Sequence, residues 1–179
     1  MREILEINLK SCIQELFTKD LLLIANNVSE RSITHKLAEY LQHKFPQYNV
    51  DCEYNRNLQN GKGRPKSIWL IKERSVRELK NKYNDTVGSL ISKEEVLSDV
   101  TSYPDIIIHQ RGLNSNNILI IEVKKSNSII GDDYDISKLN AFTSLGQVYK
   151  FKFGAFIKFN MDPPYEFPSI RWFSEGAEI

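Results

Sequence analysis

Two short runs hold the residue types that metal-assisted phosphodiester hydrolysis needs: Pro104-Asp105 and Glu122-Val123-Lys124. Each sits at the end of an apolar segment that reads as a strand, DIIIHQ over 105–110 and NILIIEVKK over 117–125. The polar six-residue loop RGLNSN between them has a length that joins antiparallel neighbours. If Gln110 faces Asn117, partner numbers sum to 227 and Asp105 lies opposite Glu122. Cross-strand partners have β-carbons about 5 Å apart, so the two carboxylates meet. Lys124 shares the face of Glu122, about 7 Å further along the strand.

Two carboxylates this close repel, and a divalent cation between them keeps both ionised. An oxygen-only set suits Mg²⁺ or Mn²⁺ better than zinc. A lysine beside the ion can hold a phosphate oxygen or an attacking water. The plain alternative is a hairpin with charges on a wet face. It fits poorly, because Glu122 and Lys124 share their face with Ile118 and Ile120 while Leu119, Ile121 and Val123 fill the other. Apolar residues on both faces mark a central strand, and charges at the end of one need partners or a task.

The elements that must position these residues follow from periodicity. Apolar positions Ile4, Leu5, Leu9, Ile13, Leu16 and Phe17 predict a helix over 3–17, with a second helical stretch over 19–27. Ser29 is a candidate N-cap for a third helix, which runs to Phe45 and is stopped by Pro46. Alternation over 49–54 predicts a half-buried strand, followed by a polar loop over 55–66, a strand over 67–73, a short helix after it and an irregular stretch over 84–102. After the strand pair come a helix over 137–150 and strands over 152–159 and 169–174. The result is a single mixed α/β domain around a small sheet, with a helical extension over 1–28, a core over 29–159 and a C-terminal strand within 160–179.

The pattern Pro104-Asp105, Glu122-Val123-Lys124 resembles the signature of the PD-(D/E)XK nuclease superfamily, which includes restriction endonucleases, resolvases and repair nucleases. The resemblance implies a restriction-endonuclease-like core, a four-stranded mixed sheet flanked by helices in the order α-β-β-β-α-β. It implies that Asp105 and Glu122 bind Mg²⁺ or Mn²⁺, and that Lys124 orients and helps deprotonate the attacking water. Many members carry a further glutamate on the helix before the first core strand. Here Glu30 precedes Ile33 by three and Leu37 by seven, so it continues the buried stripe and is a candidate third metal residue. A first-turn glutamate favoured by the helix dipole is the bland account of it. Lys138 and Gln147, on the helix after the motif, are auxiliary candidates, though a solvated helix position explains either. The segment over 27–56, with PDIIIHQRG and LIIEVKK, also resembles an uncharacterised bacterial subgroup of that superfamily.

Charge distribution points to a polyanionic partner. Residues 55–83 hold nine basic residues, Arg56, Lys62, Arg64, Lys66, Lys72, Arg74, Arg77, Lys80 and Lys82, against Glu73 and Glu78. That is +7 in 29 residues and leaves −6 on the rest of a chain whose total is +1. Such a stretch suits contact with a nucleic-acid backbone, DNA by the family resemblance, with Arg56, Lys62, Arg64, Lys66, Arg74 and Arg77 as the contact candidates. One site cuts one strand, so cutting a duplex through would call for a homodimer or two events.

Other features exclude more than they assign. With 41% hydrophobic and 26% charged residues, the 179-residue chain is neither disordered nor collagen-like nor a coiled coil. Cys12 and Cys52 make no disulfide framework or zinc knuckle. The charged start and the absence of a long apolar run predict a cytoplasmic protein with no membrane partner. His35, His43 and His109 share no ligand spacing, and Asp132, Asp133 and Asp135 read as loop solvation and helix capping. A fold that binds nucleic acid or assembles without cutting is the rival to a nuclease.

Overall fold

The computed structural model describes residues 1–54, 103–146 and 149–179, and the backbone of 56–57, 64–65, 67–71 and 97–101. Its elements are α1 (Arg2–Lys19), α2 (Leu21–Ala25), α3 (Glu30–Lys44), β1 (Asn49–Cys52), β2 (Arg56–Asn57), β3 (Arg64–Pro65), β4 (Ser67–Ile71), β5 (Leu97–Thr101), β6 (Ile106–His109), β7 (Leu119–Lys125), α4 (Asp133–Thr143), β8 (Phe153–Phe159), β9 (Ser169–Ser174) and β10 (Ala177–Glu178). A six-stranded sheet runs β1-β6-β7-β8-β9-β10, with β7 and β8 parallel and every other neighbour antiparallel. The pairs β2–β3 and β4–β5 form two separate small sheets. The fold is mixed α/β, and the sheet has six strands where four plus a C-terminal strand were expected. The succession α3, β1, β6, β7, α4, β8 runs through its first four strands.

Alternation along β7 divides the core. Leu119, Ile121 and Val123 face α1, α2 and α3, together with Ile106, Ile108 and Ile157. Ile120 faces α4 and, together with Ile107, Phe156 and Phe173, packs against Leu139 and Phe142 of that helix. On α1 the buried face is Leu5, Leu9, Cys12, Ile13 and Leu16, a true 3.6-residue stripe. The expected Ile4 lies one position off it and is exposed. Ser29 caps α3, its side chain accepting from the Ser32 amide. Gln42 secures the turn into β1, donating to the carbonyls of Phe45 and Tyr48 and accepting from the Val50 amide.

Helix α4 departs most from expectation. It begins at Asp133, not at 137, and ends at Thr143. Asp133 and Asp135 lie in its first turn, where the helix dipole favours acids. Gly154 lets α4 lie close on β8, because a β-carbon there would meet Leu139 Cδ2 and Phe173 Cβ at 3.2 Å. The short helix expected after residue 73 lies outside the described residues. No helix among the described residues is long and apolar enough to cross a membrane.

Candidate active site

The register of β6 on β7 brings the motif together. Ile106, Ile107 and Ile108 pair with Ile121, Ile120 and Leu119, which is the 227 register. One step beyond the last pair, Asp105 stands across from Glu122, and its Oδ2 accepts from the Val123 amide at 2.7 Å. Pro104 before it is buried. A cleft of about 330 Å³, whose walls include Arg31, His35, Cys52, Glu53 and Asp105, opens on this carboxylate from the α3 side.

Glu122 lies inside the molecule, 1% exposed, on the α4 face of β7. Its Oε2 accepts from Lys138 Nζ at 2.5 Å, and its Oε1 has no hydrogen-bond partner. Burial first, and the Asp105 charge second, push its pKa well above the usual carboxylate range, against the pull of Lys138. Burial likewise raises Asp105 to about 6, although the Val123 amide and Lys138 oppose it. The two acids are therefore short of positive charge, even with a lysine between the layers.

The neighbouring charges form a chain. Asp135 Oδ1 receives Lys138 Nζ at 3.1 Å and Oδ2 receives Lys124 Nζ at 2.8 Å. Both lysines are buried. Burial works against each ammonium, but the acids outweigh it and hold both pKa values above the ordinary lysine value. Glu30 comes from the opposite layer and its Oε1 accepts from the Lys125 amide at 3.0 Å. It is near enough for its charge to act on Asp105 and Lys124.

Asp105, Glu122, Lys124 and Glu30 thus converge at one end of the sheet. Lys138, for which a solvated position seemed the better account, is 7% exposed and joins them. Asp135, read as part of a capping cluster, is the residue missed. Its signal was in the spacing: Asp135 precedes Lys138 by three and Leu139 by four, which places it on the buried face once the helix starts at 133. Asp132 stays a rim residue, paired with Lys158. Gln147, Lys62, Lys66, Arg74 and Arg77 lie outside the described residues, and of Arg56 and Arg64 only the backbone, on β2 and β3, is described. His109, four residues along β6 from Asp105, belongs to a different cluster with Asp51 and Arg111.

A metal ion fits this site in part. The unpartnered Glu122 oxygen and the raised Asp105 suit a cation. Among the described residues, however, no three His, Cys, Asp or Glu side chains gather closely enough to hold one by themselves. A metal here would rest on two carboxylates and complete its shell with water and substrate oxygens, as magnesium commonly does. Compared with family models, curated proteins and solved structures, the chain matches none.

Proposed function

We propose that the protein is a metal-dependent nuclease of PD-(D/E)XK type, with DNA its expected substrate. The observation that carries this reading is the pairing of Asp105 with a buried Glu122 whose Oε1 is left without a partner. The succession α3, β1, β6, β7, α4, β8 supports a restriction-endonuclease-like core. Asp105 and Glu122 would hold Mg²⁺ or Mn²⁺, with Glu30 acting through water. The ion would polarise the scissile phosphate and lower the pKa of a water beside it. Lys124, kept protonated by Asp135, serves as a charge and a donor that holds the attacking water or a phosphate oxygen, not as a base. The basic stretch over 55–83 would grip the backbone. A cytoplasmic location and action as a homodimer on duplex substrates belong to the same proposal.

Incubation of the pure protein with DNA and RNA in Mg²⁺ or Mn²⁺ tests it. Cleavage is expected, and equal activity in wild type, Asp105→Ala and Lys124→Ala would overturn it. A second reading has its own observation. Lys138 already pairs with Glu122, as it would in a module that keeps the fold and binds nucleic acid without cutting. Salt-dependent binding without metal uptake is the outcome that favours it.

A further inference from the structure

We propose that Lys138 is a built-in competitor for the cation at this site: its ammonium and a divalent metal are alternative partners of the same Glu122 carboxylate. The proposal rests on the metal-binding reading and adds what controls it.

Lys138 Nζ sits 2.5 Å from Glu122 Oε2, inside the protein, on the acid best placed to share an ion with Asp105. A divalent ion and an ammonium on one carboxylate repel strongly, because the effective dielectric near buried groups is well below that of water. Metal entry therefore requires Lys138 to move. The surroundings let it move without stranding its charge. Asp135 Oδ1 already holds the same ammonium at 3.1 Å, and the Tyr134 ring lies 5.3 Å from it. Asp135 is thus a positioning residue, with Lys124 on one oxygen and the displaced Lys138 on the other.

The charge inventory agrees. Asp105, Glu122 and Asp135 face Lys124 and Lys138, three acids against two bases, with Glu30 at the edge. Acids still outnumber bases while Lys138 stays on Glu122, and the displacement of Lys138 offsets part of what a metal gains there. A phosphate diester arriving at the site would give the released ammonium an anionic partner. Metal and substrate should then bind with positive coupling, each strengthening the other by the same factor. Substrate would in effect switch the metal site on.

Calorimetric titration of Mn²⁺ into the full-length protein near neutral pH, with a parallel thermal-unfolding series, tests the competition. Lys138→Met is expected to bind Mn²⁺ at least about tenfold more tightly than wild type, a conversion of about 1.4 kcal/mol, and to show the larger metal-induced rise in Tm. Asp135→Asn, which leaves Lys138 dependent on Glu122, is expected to bind more weakly than wild type. Lys138→Gln serves as the milder variant if the methionine variant does not fold. Equal Mn²⁺ affinity in wild type and both Lys138 variants, with binding lost in Asp105→Asn, would overturn the competition and leave the metal reading standing. No Mn²⁺ binding in any variant, or binding that survives Asp105→Asn, would overturn both.

Discussion

A half-buried and a fully buried carboxylate on the same sheet differ in how their charge is met. Asp51, on β1, accepts from His109 at 2.8 Å and from Arg111 Nε at 2.9 Å, with Arg111 Nη2 on its other oxygen. Burial pushes its pKa up, but the His109 and Arg111 hydrogen bonds more than reverse that and hold it at about 2. Glu122, on β7, is more deeply buried, has one lysine, and faces Asp105 across the ladder. Burial and its acidic neighbour win, and its pKa rises. Asp51 is a finished structural pairing that ties the edge of the sheet together. Glu122 and Asp105 form an unfinished one, which costs stability. Such local cost is typical of sites that bind or react.

On the nuclease reading proposed above, the largest contrast is in activity. Asp105→Ala and Glu122→Gln should each cut nucleic-acid cleavage by about 10³-fold, the scale of losing a key electrostatic group. Asp51→Asn should leave cleavage within about threefold of wild type, since its side chain bonds His109 and Arg111 and none of the Asp105 cluster, and such a residue affects folding more than rate. A gel-based cleavage assay on variants shown to be folded reads both.

In stability the contrast reverses sign. Asp105→Asn should stabilise the metal-free protein at pH 7 by up to about 3 kcal/mol, because a pKa raised from 3.8 to about 6 is a folding cost of about 1.4 kcal/mol per unit. The asparagine Oδ1 can still accept from the Val123 amide. Asp51→Ala should cost about 2 kcal/mol, by leaving His109 and Arg111 without their acceptor. Urea denaturation of the two variants beside wild type measures both.

The same difference should appear in the pH dependence of wild-type stability without metal. Asp51 is depressed in the folded state, so its contribution is full above about pH 4 and is lost as pH falls toward 2. Asp105 is raised, so its penalty is absent near pH 4 and grows as pH rises toward 6. Asp51→Asn should flatten the acid limb, and Asp105→Asn should lessen the decline above about pH 4 to the part that the raised Glu122 contributes, when Tm is followed against pH. The smallest effect is expected from Arg111→Ala. Arg111 is more than half exposed and His109 remains on Asp51, so the loss should be about 0.5 kcal/mol.

The sequence made the centre of the sheet legible because its signals there agree. The apolar alternation of 105–110 and 117–125 and the length of the loop between them give one register, and that register brings Asp105 to Glu122. Ser29 as the cap of α3 and SIRWFS as a strand over 169–174 were equally plain. The start of α4 was not, because Gly131 and three aspartates read as loop solvation and helix capping, whereas Asp133 and Asp135 lie inside the first helical turn. With the helix started four residues late, Asp135 lost its helical neighbours and Lys138 its depth. The spacing of Asp135 to Lys138 and Leu139 could have repaired the first error, but nothing local repairs the second. The burial of Lys138 is set by the layer packing of α4 on β7 and β8, which no window of sequence contains.

On the metal reading proposed above, Asp105 and Glu122 are an unfinished pair that takes up a divalent ion. Anomalous scattering from crystals soaked in Mn²⁺ tests it most directly. A peak is expected between the two carboxylates, with Lys138 withdrawn from Glu122 toward Asp135. No peak there, with Lys138 still seated on Glu122 at saturating Mn²⁺, would contradict it.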